Sequence, residues 1–80
     1  MKRMLRYDAR GRKSHQLSIP KTREDLLIQE DRWNYFLAYE VKQWLRDNCS
    51  EEYRIIPSRH CTDIHFQSER DATLFWTFHA

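Results

Sequence analysis

The sequence predicts an α+β domain in which one long helix packs on a small antiparallel sheet and a short C-terminal helix follows. Three observations support this fold class. The stretch from Thr22 to Asp47 contains neither Gly nor Pro, as expected for one helix, with a break near Gln29 to Asp31 as the alternative. Two strand-like segments with a short turn between them come next. A serine then precedes an aromatic C-terminal segment, where a short helix is expected.

A chain of 80 residues is enough for one domain with one core. We divide it into a basic N-terminal arm, residues 1–13, and a single α+β domain, residues 14–80. No apolar run approaches the roughly 18 residues of a membrane span, and none follows the basic N-terminus as it would in a secretory signal peptide. These features predict a cytoplasmic protein in which Cys49 and Cys61 are free thiols.

Charge is divided unevenly along the chain. Residues 1–23 contain eight basic residues and one acidic residue, a net charge of +7, whereas residues 24–80 contain six basic and eleven acidic residues, a net charge of −5. Such an asymmetry is typical of a charged arm that meets a partner. The alternative is that the arm folds over its own acidic body.

The first strand is predicted from an alternating segment. His15, Leu17 and Ile19 alternate with polar residues, a period of two that Pro20 ends. Residues 1–13 show no clear period, and residues 10–13 are expected to be flexible or to form a turn.

The long helix is predicted from its start signal and its periodicity. Thr22 followed by Asp25 resembles a capping box, and Asn48 is a suitable end. The apolar residues fall on two faces at 100° per residue. The first face is the predicted core stripe and contains Leu26, Trp33, Leu37, Val41 and Trp44.

A second apolar stripe on this predicted helix contains Ile28, Tyr35 and Tyr39. A helix on a sheet needs only one apolar face, so we predict that these three residues bind a protein partner or a second copy of the chain. The alternative is that the arm or the C-terminal segment covers them within a compact monomer.

A β-hairpin and a short helix are predicted for the C-terminal third. Tyr53–Ile56 forms the first strand and ends at Pro57, and Cys61–Gln67 forms the second, so the two should pair antiparallel. In the second strand Thr62, Ile64 and Phe66 share one face, and Asp63 and His65 share the other. Ser68 with Asp71 predicts a helix cap, with an extended segment after the helix.

The sequence lacks the usual signatures of metal sites and enzymes. The candidate ligands Cys49, His60, Cys61, His65 and His79 follow no zinc-site spacing. No nucleophile signature surrounds either cysteine, and the adjacent carboxylates point apart on a helix. A single glycine, Gly11, cannot form a phosphate-binding loop. We therefore predict no metal, no cofactor, no catalytic residue and no enzymatic activity.

Nucleic-acid binding is the alternative function that the arm suggests. Basic side chains neutralise phosphates, and an aromatic ring can stack on an exposed base. Against this function, the body of the domain is acidic and no basic recognition helix is visible. The arm residues that would bind nucleic acid, or steer an acidic protein partner, are Lys2, Arg3, Arg6, Tyr7, Arg10, Arg12 and Lys13.

The C-terminal third also resembles known sequences. The strand ending in Phe66, the polar step Gln67-Ser68-Glu69-Arg70, Asp71-Ala72 and the segment from Leu74-Phe75 onward are similar to the ends of small uncharacterised proteins from tailed bacteriophages. This resemblance covers about 20 residues and implies an accessory or host-takeover protein that acts by binding in the host cytoplasm. The predicted function is therefore non-enzymatic protein–protein interaction, with nucleic-acid binding as the alternative and a small enzyme as a distant third.

Overall fold

A computed structural model describes residues 1–7 and 9–79 of the chain. These residues form six strands and two helices. The strands are β1 (Lys2–Tyr7), β2 (Lys13–Pro20), β3 (Leu27–Gln29), β4 (Tyr35–Leu37), β5 (Tyr53–Pro57) and β6 (Cys61–Phe66). The helices are α1 (Tyr39–Asn48) and α2 (Glu69–His79). Within this part of the chain, neither helix is long and apolar enough to cross a membrane.

The strands form a four-stranded sheet and a separate two-stranded ribbon. The order in the sheet is β1-β2-β6-β5, with every neighbouring pair antiparallel, and β3 pairs with β4 in the ribbon. Alternate residues of a strand face opposite sides of a sheet. The core lies against one side, the inner face, and the opposite side is the outer face.

The core joins the inner face to the two helices and the β3–β4 ribbon. On the sheet it contains Leu17 and Ile19 of β2 with Ile64 and Phe66 of β6, all fully buried. The ribbon and the helices add Leu27, Leu37, Val41, Leu45, Ala72 and Phe75. Burying such side chains stabilises the fold by about 1.5–3 kcal/mol each.

The predicted fold class is wrong in its central feature, because no long helix packs on the sheet. The segment from Thr22 to Asp47 forms turns, β3, β4 and most of α1. A local turn breaks the helical pattern, since Asp31 Oδ1 accepts the backbone N–H groups of Trp33 and Asn34 at 2.7 and 2.8 Å. Asp side chains favour turns by this kind of bond to nearby backbone.

Long-range hydrogen bonds then hold the ribbon in place. The backbone N–H of Tyr35 donates to the carbonyl of Ser58 at 2.9 Å, and Thr62 Oγ1 donates to the carbonyl of Tyr35 at 2.6 Å. Ala38 N–H donates to the carbonyl of Leu26 at 2.8 Å. These partners are distant in sequence or lie across the ribbon, so helical periodicity does not predict them.

The elements with strong local signals are confirmed. Strand β2 contains the alternating segment, and β5 and β6 form the expected antiparallel hairpin. Ser68 Oγ accepts the N–H of Asp71 at 3.2 Å, as expected of a helix cap. Within the described residues, the extended segment expected after a short helix is absent, because α2 continues to His79, the last of them.

Candidate nucleic-acid interface

Most of the predicted basic arm is part of the sheet. Residues Lys2–Tyr7 form β1, an edge strand that pairs with β2 along its whole length. Lys2 lies opposite Ser18 at one end of this pairing, and Tyr7 lies opposite Lys13 at the other. The pairing of β2 with β6 begins only at His15, opposite Phe66. The end of the β1–β2 hairpin therefore extends beyond β6 as a ribbon two strands wide.

This projecting end, which we call the hairpin tip, contains Arg6, Tyr7 and residues 9–14. Its basic side chains, those of Arg6, Arg10, Arg12 and Lys13, are exposed, and Tyr7 is 60% exposed. Gly11 has a φ of 77°, a conformation that side chains with a Cβ rarely adopt, and it allows the tight turn at this end. The tip is thus a narrow basic projection with one aromatic ring.

The two cations of β1 that lie outside the tip, Lys2 and Arg3, face different sides of the sheet. Arg3 lies opposite Leu17 on the inner face, and its Nη2 donates to Thr73 Oγ1 of α2 at 2.9 Å. Arg3 therefore ties the edge strand to a helix. Lys2 lies opposite Ser18 on the outer face, as Arg6 lies opposite Ser14. Two of the predicted arm cations are consequently presented by the outer face.

On the outer face, polar side chains of β2 and β6 lie between cations of the two edge strands, β1 and β5. Ser18 Oγ donates to Asp63 Oδ1 at 2.7 Å, and Gln16 Nε2 donates to Ser18 Oγ at 3.3 Å. His65 Nδ1 lies 3.4 Å from Ser14 Oγ, and Arg54 of the edge strand β5 lies opposite His65. We did not predict this surface from the sequence, although the polar positions of the alternating β2 segment were its signal.

The serine, histidine and aspartate of the outer face do not form a catalytic triad. A triad requires one serine bonded to a histidine that is itself bonded to the carboxylate. Here the carboxylate of Asp63 accepts from Ser18, whereas His65 contacts Ser14. Asp63 also accepts from the thiol of Cys61, whose Sγ lies 3.6 Å from Oδ1. This network links neighbouring strands.

The three residues of the predicted second stripe do not share a helix face. Ile28 is in β3 and lies opposite Phe36, whereas Tyr35 is in β4, is half-buried and packs against the core. Tyr39 begins α1, is 69% exposed, and its hydroxyl accepts from Gln43 Nε2 at 2.9 Å. The helical stripe therefore does not exist, and a binding role for these residues stays a prediction.

The candidate metal ligands and nucleophiles are dispersed. Within residues 1–7 and 9–79, no three His, Cys, Asp or Glu residues are grouped so that they could hold a metal ion. Cys49 and Cys61 are both free thiols. Burial, with a smaller contribution from the charge of Asp71, raises the pKa of Cys49 to about 11, which keeps this thiol protonated and weakly nucleophilic near neutral pH.

Comparison with known protein families, curated proteins and solved structures finds no match to the chain. The resemblance of its C-terminal third to bacteriophage proteins thus stays a prediction. Among the chain's own surfaces, the hairpin tip carries the densest positive charge in the sequence.

Proposed function

We propose that this chain is a non-enzymatic binding protein that docks on double-stranded nucleic acid through its hairpin tip. The observation that supports this most strongly is the register of the sheet. Because β1 and β2 remain paired beyond the point where β6 ends, the basic residues of the tip stand clear of the rest of the sheet. They are exposed on a projecting ribbon.

The dimensions of such a ribbon suit a DNA groove. Paired strands lie about 4.8 Å apart, and the major groove of B-form DNA, about 12 Å wide, admits a two-stranded β-ribbon. Arginine and lysine on the ribbon would contact the phosphates on both sides and release counterions. Lys2, which lies on the outer face of the same hairpin, extends the positive surface along it.

A duplex is favoured over a single strand because, beyond the single exposed ring of Tyr7 at the tip, the outer face offers no stacking platform. Proteins that bind single strands commonly stack bases on exposed aromatic rings. In the described part of the four-stranded sheet, the outer-facing positions hold no Phe, Tyr or Trp. They are Lys2, Met4, Arg6, Ser14, Gln16, Ser18, Pro20, Arg54, Ile56, Cys61, Asp63 and His65.

The test is a salt titration of binding, measured by fluorescence anisotropy with a labelled short DNA duplex and the matching single strand. We expect the duplex to bind more tightly, with affinity falling steeply from about 50 to about 200 mM salt. In the triple variant Arg6→Gln, Arg10→Gln and Arg12→Gln, the slope of log affinity against log salt should become shallower by about 0.9 for each phosphate that the tip no longer neutralises.

The matched control removes three exposed cations elsewhere, with Lys21→Gln, Lys42→Gln and Arg46→Gln. This variant has the same net charge as the tip variant and should keep most of the affinity. Equal losses in the two variants would show that overall charge, and not the tip, governs binding. Absence of binding to any duplex at the lowest salt would overturn the proposal.

A further inference from the structure

A second surface, an aromatic cleft, lies between α1, the end of α2 and the turn before β3. It encloses about 380 Å³ and is lined in part by Asp25, Glu40, Trp44, Phe78 and His79. The ring of Phe78 is 69% exposed and lies 5.4 Å, centroid to centroid, from that of Trp44. Exposed large rings at a cavity are typical anchors for another protein.

The cleft combines these rings with carboxylates. Asp25 is held by Arg23 in a two-bond ion pair at 3.0 and 2.9 Å. Glu40 is exposed and has no ion-pair partner among the residues that the structure describes. An unpaired carboxylate in the same cleft as the rings of Trp44 and Phe78 favours a cationic side chain with an apolar stem, such as arginine or lysine.

The cleft and the hairpin tip are at opposite ends of the molecule. Strand β2 runs from Lys13 at the tip to Pro20, a span of about 23 Å at 3.3 Å per residue. Beyond Pro20 the chain reaches Arg23, whose Nη2 donates to the carbonyl of His79 at the cleft, at 2.7 Å. The tip therefore cannot fold into the cleft of its own chain, but it can reach that of another copy.

We infer that copies of this chain associate head to tail, with the basic hairpin tip of one copy seated in the aromatic cleft of the next. The tip supplies arginines, a lysine and Tyr7, whereas the cleft supplies Glu40 and two aromatic rings. A contact between two different surfaces leaves one tip and one cleft unoccupied in every dimer, so assembly continues to longer chains. This inference does not depend on nucleic-acid binding, and a tip seated in a cleft is not available to bind a duplex.

A symmetric dimer through the free edge of β1 is disfavoured by charge. That strand carries Lys2, Arg3 and Arg6, so two antiparallel copies would bring cations close to cations, which destabilises strand pairing. The division of charge along the chain, +7 for residues 1–23 and −5 for residues 24–80, favours the head-to-tail arrangement.

The test measures mass by sedimentation equilibrium at low salt on nuclease-treated protein. The weight-average mass should rise continuously beyond that of a dimer between roughly 10 µM and 1 mM, the range expected of a weak contact, and should fall when salt is added. The cleft variant Glu40→Lys and the tip variant Arg6→Glu with Lys13→Glu should each remain monomeric. Mixed together, they should associate again, because the unchanged tip of the cleft variant meets the unchanged cleft of the tip variant and the two reversed charges attract each other.

Two controls make the same charge changes elsewhere. Asp47→Lys on the exposed end of α1 matches the cleft variant, and Lys21→Glu with Lys42→Glu matches the tip variant. Both should assemble like the parent chain. Circular dichroism should show the same fold for every variant. A parent chain that stays monomeric throughout the range would overturn the inference. It would also be overturned if the cleft variant or the tip variant, each on its own, still formed a stable dimer.

Discussion

Asp71 and Ser50 are joined by three hydrogen bonds that connect the start of α2 to the loop after α1. The backbone N–H of Ser50 donates to Oδ1 and Oδ2 of Asp71 at 3.1 and 2.9 Å, and Ser50 Oγ donates to Oδ1 at 3.1 Å. The N–H of Glu51 donates to Oδ2 at 3.1 Å. Because Asp71 is only 1% exposed, this carboxylate fixes two elements that no strand pairing connects.

Substituting Asp71→Ala should therefore destabilise the fold by about 3 kcal/mol, since several part-buried hydrogen bonds to a charged acceptor are lost at once. Urea unfolding followed by circular dichroism measures the loss. Asp71→Asn keeps one carbonyl oxygen and should lose about half as much. Asp47→Ala, which removes an exposed carboxylate, should change stability by less than about 0.5 kcal/mol. An Asp71→Ala protein as stable as the Asp47→Ala protein would contradict this role.

Two tyrosines that sequence periodicity placed on one helix face should behave differently. Tyr35 is half-buried against the core and Tyr39 is 69% exposed. We expect Tyr35→Ala to lower the free energy of unfolding by about 2 kcal/mol, and Tyr39→Ala to change it by less than about 0.5 kcal/mol. Thermal unfolding of the two single variants provides the measurement. Similar losses from both substitutions would show that the ring of Tyr39 also supports the core.

The contrast between these tyrosines shows where sequence patterns fail. The segment from Thr22 to Asp47 has helical spacing of its apolar residues and no Gly or Pro. It nevertheless contains the strands β3 and β4, which are each three residues long. This ribbon depends on hydrogen bonds with distant residues such as Ser58 and Thr62. Local periodicity carries no information on such partners. In contrast, alternation of apolar and polar residues, or contacts between neighbours in sequence, determine β2, the β5–β6 hairpin and the Ser68 cap. The sequence alone therefore predicts these elements.

The candidate interface was also predictable only in part. The arm cations and Tyr7 are evident from composition. Their projection beyond the sheet depends on where β6 stops along β2, at Phe66 opposite His15, and this register is a tertiary property. The aromatic cleft was hidden for the same reason, because Asp25, Glu40 and Phe78 meet only after the chain has folded.

The thiol of Cys49 should react slowly. Burial raises its pKa to about 11, so in the Cys61→Ser variant iodoacetamide at about pH 8 should modify Cys49 roughly 100-fold more slowly than it modifies glutathione. Mass spectrometry of timed samples gives the rate. In concentrated urea the rate should rise to that of an ordinary thiol. A fast reaction of the folded protein would show that Cys49 is more accessible to water than the structure indicates.

Protonation of His79 should weaken the fold in mild acid. Its ring lies 4.1 Å from that of Phe75, centroid to centroid, and burial lowers its pKa, with the nearby Arg23 acting in the same direction. A histidine whose folded-state pKa is depressed stabilises the fold above its unfolded value of about 6.5, and this contribution is lost as the pH falls through the folded-state pKa.

The melting temperature should therefore fall between about pH 7.5 and about pH 5, above the range in which ordinary carboxylates titrate. His79→Phe keeps an aromatic ring against Phe75 without a titrating group, so its melting temperature should change less over the same interval. His60→Gln removes an exposed histidine and should retain the full dependence of the parent chain. If His79→Phe and the parent lost stability equally on acidification, another group would have to be responsible.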